Sequence, residues 1–335
     1  MKSFRQSASA GEARRRLWPS FVLALALVSL LAGCAAAGSS TGPGTASAGS
    51  ANLRVIATTT FLADMARQVA GNRVAVTSLL PAGADPHAYE PTPQDVVAVS
   101  QSNVLIENGA DYEVWLSRVL QNFPKDGKQI VASQGITPLD WSSTAGSTAG
   151  NATSTAQAGT VDPHMWMDPL NAVRYVENIR EGLSAVDPQG AQVYQTNAQA
   201  YIAQLQQLDQ WISTQVAGLP SEKRLLVTNH ENLGYYARRY GFQIVGNVLQ
   251  SVSSDASPSA QQMAELVQAI RSSGAKAVFV ERGANPNLAD QIAQDTGVKV
   301  VTDLYVESLS DAQGPAPTYI DMLRYDTQLI MNALK

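Results

Sequence analysis

The chain has 335 residues, of which 45% are apolar and only 15% charged, with a formal net charge of −5. That length is long for one core and predicts two domains. The acidic balance argues against nucleic acid or anionic lipid as a partner, and the lone cysteine, Cys34, excludes a disulfide framework.

Residues 1–33 have the layout of a lipoprotein signal peptide. Arg14, Arg15 and Arg16 form a positive flank, and Phe21–Leu31 is an apolar run. A comfortable bilayer span needs about 20 residues, so the run fits a secretory signal better than a membrane helix. Leu31-Ala32-Gly33-Cys34 resembles the lipobox of bacterial lipoproteins, which implies cleavage before Cys34 and lipidation of its thiol. Lys2, Arg5, Arg14, Arg15 and Arg16 would leave with Glu12, taking the net charge from −5 to −9. Residues 34–51 read as the lipidated Cys and a flexible tether.

From Leu53 the pattern alternates. Leu53–Ala57 is a strand candidate, and Thr58-Thr59-Thr60 supplies a cap for a helix over Phe61–Val69. A strand over Val74–Leu80 leads into the loop Pro81–Pro91. Thr92 with Asp95 resembles a capping box, with Pro93 at the first helical position. A short strand over Val104–Glu107, a helix over Tyr112–Gln121 and a strand over Gln129–Ala132 follow. Trp141–Thr160 is mostly Ser, Thr, Ala and Gly with almost no large apolar side chains, and reads as a mobile surface loop. Asp168 caps a helix that starts at Pro169, and Asp187-Pro188 starts a long one reaching about Val216, enough to span two domains.

The alternation then repeats. Strands are predicted over Arg224–Thr228, Gln243–Leu249, Ala277–Val280 and Val298–Thr302. Helices are predicted over Glu231–Arg239, from Ser257-Pro258 to Ser273, over Asn287–Thr296 and over Thr318–Leu334. The fold class is therefore α/β: two lobes, each a mostly parallel sheet flanked by helices, joined by one long linking helix. The boundaries predicted are 52–187 for the first lobe, 188–218 for the linking helix and 222–335 for the second lobe.

Only three histidines occur: His87, His164 and His230. Each lies in a loop leading into a helix, and His87 and His230 follow predicted strands, where open α/β sheets bind ligands. Prolines stiffen the loops at Asp85-Pro86-His87 and Asp162-Pro163-His164. Imidazoles fixed in rigid loops suit a metal, which would want a fourth donor, often a carboxylate. Trp115, Trp166 and Tyr89 could line a cleft for an organic ligand, but core packing is the expected use for them.

PHAYEPTP at Pro86–Pro93, DPHMWMDP at Asp162–Pro169, TNHENLGYYARRYG at Thr228–Gly241 and ESLSDAQGPAPTYIDMLRY at Glu307–Tyr325 resemble the family of metal-binding receptors of bacterial ABC importers for zinc and manganese. The resemblance covers the chain from Leu53 onward. It implies two α/β lobes with the metal held between them, and His87, His164 and His230 as three ligands. The fourth position, most often aspartate in the family, is Glu307 here. One extra methylene moves that carboxylate by about 1.5 Å, which leaves one-oxygen, two-oxygen and water-mediated binding open.

Three imidazoles with one carboxylate form a nitrogen-rich set that favours Zn2+, with Mn2+ as the alternative and iron third. The bland Trp141–Thr160 stretch stands against zinc, because many zinc receptors of the family carry a His- and acid-rich loop there. The implied partners are an ABC permease and its ATPase, and the membrane through a lipid anchor on Cys34. A monomer is expected, on the extracytoplasmic face of the cell membrane. The competing reading is a zinc hydrolase with the same histidines and Glu231 or Asp162 as general base. No HExxH pair or activated nucleophile accompanies it, so no enzymatic activity is expected.

Overall fold

A computed structural model of the chain describes residues 53–140, 161–254 and 256–335. The signal peptide, Cys34, the tether and the 141–160 loop lie outside the described residues. In the first lobe β1 (Arg54–Ala57), β2 (Ala75–Ser78), β3 (Val104–Glu107) and β4 (Lys128–Val131) form a parallel sheet in the order β2-β1-β3-β4. They alternate with α1 (Thr60–Ala70), α2 (Pro93–Ser100) and α3 (Leu116–Leu120). In the second lobe β7 (Leu225–Thr228), β8 (Gln243–Asn247), β9 (Ala277–Glu281) and β10 (Lys299–Leu304) form another parallel sheet, ordered β10-β9-β7-β8. Its helices are α6 (Gly234–Tyr240), α7 (Ala260–Ser273), α8 (Asn287–Thr296) and α9 (Tyr319–Leu334). In sequence between the sheets come an antiparallel ribbon of β5 (Leu139–Asp140) and β6 (Val161–Asp162), then α4 (Pro169–Val186) and α5 (Ala191–Ala217). The ribbon was not expected, since two-residue strands carry no periodic signal.

Local chemistry sets the helix starts. Thr92 and Asp95 form a complete capping box with Pro93 in the first turn, and Asp168 accepts from Leu170 N–H ahead of Pro169. Such caps contribute about 1 kcal/mol each. Three predicted starts move downstream. α7 begins after Ser259, which forms a capping box with Gln262, rather than at Ser257-Pro258. α3 begins at Leu116 rather than Tyr112, because Gly109, Ala110 and Asp111 form a turn with φ of 84°, 55° and 57°. α6 begins at Gly234 rather than Glu231, because residues 230–233 form the loop that carries a site histidine. The linking helix opens with a 3-10 turn at Pro188–Gly190, and α5 proper has 27 residues, about 40 Å at 1.5 Å per residue.

One face of α5 buries Tyr194, Ala198, Tyr201, Leu205, Leu208, Ile212 and Val216, the stripe expected of an amphipathic helix. That stripe belongs to a continuous apolar core containing Phe61 and Met65 of α1, Tyr175 and Ile179 of α4, Tyr236 of α6, and Tyr319, Met322 and Leu323 of α9. The core therefore runs through both lobes. The outer sheet faces have their own clusters, one around Ile56, Leu105 and Val119 and one around Val227, Val278 and Ile292. Gly182 lets α4 lie against β4, since a Cβ there would come within 2.2 Å of Ile130 Cδ1. Just before α5, Arg73 and Tyr194 both donate to the buried Asp187 carboxylate, which ties the head of the linking helix to the first lobe. Among the described residues no helix is long and apolar enough to cross a membrane.

Candidate metal centre

All four residues singled out in the sequence meet. His87, His164, His230 and Glu307 are buried, and one ligand atom from each lies within 4.8 Å of the others. Glu307 Oε1 sits 3.0 Å from His87 Nε2, 3.2 Å from His164 Nε2 and 2.9 Å from His230 Nε2. His87 Nε2 and His164 Nε2 are 3.4 Å apart.

The second sheet delivers two of these groups from the carboxyl ends of its strands, as the open-sheet rule expects. His230 follows β7 by two residues, beside the end of β9, where the strand order of the second sheet reverses. Glu307 follows β10 by three residues and His164 follows β6 by two. His87 does not follow directly from a strand: β2 ends at Ser78, and a long loop intervenes.

Two carboxylates fix the rings of His164 and His230 from behind. Asp162 Oδ1 accepts the His164 backbone N–H at 2.9 Å and lies 2.8 Å from its Nδ1. Glu281 Oε1 lies 2.9 Å from His230 Nδ1 and is itself held by Asn229 Nδ2 at 2.8 Å. A proton on each Nδ1 leaves the Nε2 lone pair facing the centre, the usual arrangement behind a metal-binding imidazole. Asp162, one of the two candidate bases of the competing hydrolase reading, is committed to His164. Glu231, the other candidate, is fully enclosed and accepts from Asn247 Nδ2 at 3.0 Å. Burial, then the charge of Asp162, push Glu231 up to about 7.

Glu281 was missed. It ends the apolar strand AVFVE beside the strand leading to His230, an adjacency that only the fold reveals. Trp166 and Trp115 are core residues, as expected, but each also donates from its indole: Trp166 Nε1 to Val306 O at 2.9 Å, Trp115 Nε1 to Pro86 O at 2.9 Å. The His164 loop is held by the second lobe as well. Tyr235 OH donates to Asp162 O at 2.8 Å, and Tyr319 OH donates to Trp166 O.

Electrostatics couple the cluster. Burial alone would lower the His164 and His230 imidazoles, but neighbouring carboxylates outweigh it. Asp162 and Glu307 bring His164 above its ordinary value, and Glu281 and Glu307 bring His230 well above it. Burial would raise Glu307, yet His230 and His87 hold it well below the usual carboxylate range. The arrangement offers a cation three imidazole nitrogens and a charged oxygen. A cavity of about 40 Å³, lined among others by Gly83, Asp85, Arg282 and Glu307, adjoins it.

Residues 55–333 match the family of zinc-uptake complex component A, periplasmic. The manganese-binding lipoprotein MntA of Halalkalibacterium halodurans is 32% identical over 315 residues, covering 94% of this chain and 97% of the relative. The iron-binding protein YfeA of Yersinia pestis is 33% identical over 278 residues, covering 83% and 85%. The periplasmic zinc-binding protein TroA of Treponema pallidum superposes with a TM-score of 0.75 at 25% identity, covering 85% of this chain and 99% of that one. The chain belongs to the zinc-uptake component A family, the metal-binding receptors of ABC importers, which carry an ion and are not enzymes.

Proposed function

We propose that His87, His164 and His230, each through Nε2, and Glu307 through Oε1 capture one divalent transition metal ion. The protein then hands the ion to an ABC permease driven by its ATPase. It works as a monomer on the extracytoplasmic face of the membrane, anchored by lipid on Cys34 after cleavage of residues 1–33.

The ion we favour is zinc, and the observation that carries this is the donor set with its spacing. Zinc bonded to imidazole at about 2.0–2.1 Å and carboxylate at about 2.0–2.2 Å in a tetrahedron needs donors roughly 3.3–3.5 Å apart. Four of the six donor pairs measure 2.9–3.4 Å, and all four atoms lie within 4.8 Å of one another, a spacing close to that requirement. Manganese is the second reading. It prefers more oxygen donors, and the cavity beside Glu307 offers room for a second carboxylate oxygen or a water. The names of MntA and YfeA point the same way, toward manganese and iron.

Metal analysis of the purified full-length chain, followed by competition of zinc against manganese, tests both parts. One ion per chain with zinc displacing manganese is expected. Uptake of no divalent ion would sink the receptor reading, and preference for manganese would replace zinc while leaving the receptor in place.

A further inference from the structure

Three consecutive threonines do three different things. Thr58 Oγ1 donates to the buried Glu113 Oε1 at 2.6 Å, and Thr59 caps α1 through Leu62 N–H. Thr60 reaches out of its own lobe. Its Oγ1 accepts Leu309 N–H at 2.8 Å and lies 3.4 Å from Ser308 Oγ.

Leu309 and Ser308 belong to the strap Tyr305–Leu309, whose middle residue is Glu307. Every other residue of the strap is held. Tyr305 N–H donates to Asp326 Oδ1 on α9 at 2.9 Å. Val306 O accepts Trp166 Nε1–H at 2.9 Å, and Ser308 Oγ accepts Gly83 N–H at 2.8 Å. Apart from Asp326, these holds come from the first lobe. The Glu307 side chain is long and can rotate about several bonds, so its carboxylate is the least self-positioned of the four donors. Fixing the backbone on both sides of it narrows where the oxygen can go, and donor placement within about 0.5 Å decides whether a site works.

We propose that Thr60 is a positioning residue for Glu307: from the opposite lobe it anchors the strap so that Oε1 converges on the three imidazole nitrogens. This rests on the reading of Glu307 as a metal donor. Thr60→Val keeps the shape and loses the acceptor, whereas Thr60→Ser keeps the hydroxyl.

The test uses the full-length chain in detergent. Zinc affinity is measured against a chromophoric chelator, and cobalt(II) absorption reports the coordination. Thr60→Val should weaken zinc about tenfold, the lower range for losing a partner behind a ligand, and shift the cobalt spectrum toward that of Glu307→Ala. Thr60→Ser should stay near wild type. In the Glu307→Ala background, Thr60→Val should cost nothing further, because the group it positions is gone. An equal loss in both backgrounds overturns the proposal, as does wild-type zinc affinity with an unchanged cobalt spectrum in Thr60→Val. Should Thr60→Val fail to fold, Thr60→Ala takes its place in the same cycle. A wild-type chain that takes up no zinc overturns the metal reading itself, an outcome distinct from an additive cycle.

Discussion

The tripeptide Asp-Pro-His occurs twice, at residues 85–87 and 162–164, and the two copies start alike. In each the aspartate Oδ1 accepts the histidine backbone N–H at 2.9 Å. They then diverge. Asp162 turns the same oxygen onto the His164 ring, while Asp85 spends its carboxylate on Ala88 N–H at 3.4 Å and Ser254 Oγ at 2.6 Å. Among the described residues no hydrogen bond reaches His87 Nδ1; the ring packs edge-on against Tyr112, 5.0 Å between centroids. His87 also borders the loop at the cavity, whereas His164 is completely enclosed. One motif therefore builds a fixed imidazole in one place and an adjustable one in the other. The surroundings decide which: the His164 loop is clamped by Tyr235, by Tyr319 and by the Val306 carbonyl that accepts from its Trp166.

The largest expected effect tests this difference at the proposed ligands. His164→Ala should lower zinc affinity by more than the roughly 10–100-fold typical of losing a partner behind a ligand, and by more than His87→Ala; titration of both variants ranks them. One step back, Asp162→Asn should cost about 10–100-fold and Asp85→Asn under about threefold, because only the first carboxylate orients a ring. Equal losses in the same titration would erase the distinction.

A pH series comes next. His164 and His230 are raised by their carboxylate neighbours despite burial. Their protonated rings stabilise the metal-free fold fully below about 6.5, the ordinary value, and that contribution is lost as pH rises through the raised values. A metal needs the neutral rings, so affinity gains over the same window. The rise in melting temperature caused by zinc, compared with chelator, should be larger at pH 8 than at pH 6. A zinc-induced shift that shrinks toward pH 8 would contradict this coupling.

The smallest effect lies away from both loops and serves as a reference. Burial pushes Asp326 up to about 8, with the Tyr305 amide pulling back. The fold retains a proton that the unfolded chain loses above about 4, so this group's stability contribution fades as pH rises toward 8. Asp326→Asn keeps an acceptor for Tyr305. It should melt a few degrees higher than wild type at pH 8 and level with it at pH 4, by calorimetry on the metal-free chain.

The site was legible in the sequence to the extent that its chemistry is rare. Three histidines in 335 residues, each just ahead of a helix, leave few alternatives, and Glu307 was reached through the family motif. Asp162 was visible, but only as a candidate base for the competing hydrolase reading, because nothing in DPH says that the aspartate turns back onto the ring two residues later. Glu281 was invisible in its role: 51 residues separate it from His230, and a glutamate ending an apolar strand reads as a solvent-facing terminus. The sheets followed from alternation and the caps from residue type. The helix starts failed where the chain stays irregular to present Glu231, Asn232 and Tyr112, since apolar periodicity cannot tell a buried loop from a first turn.

The shared core has a consequence for how the chain comes into being. α9, the last helix described, packs with α1, the first, and Tyr319 N–H at its start donates to the buried Asp64 of α1 at 2.9 Å. Synthesis delivers the N-terminal half first, yet that half cannot close its apolar surface until Tyr319–Leu334 is available. The first lobe therefore completes its core only once α9 has been made. Loss of α9 would uncover apolar surface on α1 and α5 as well as in its own lobe.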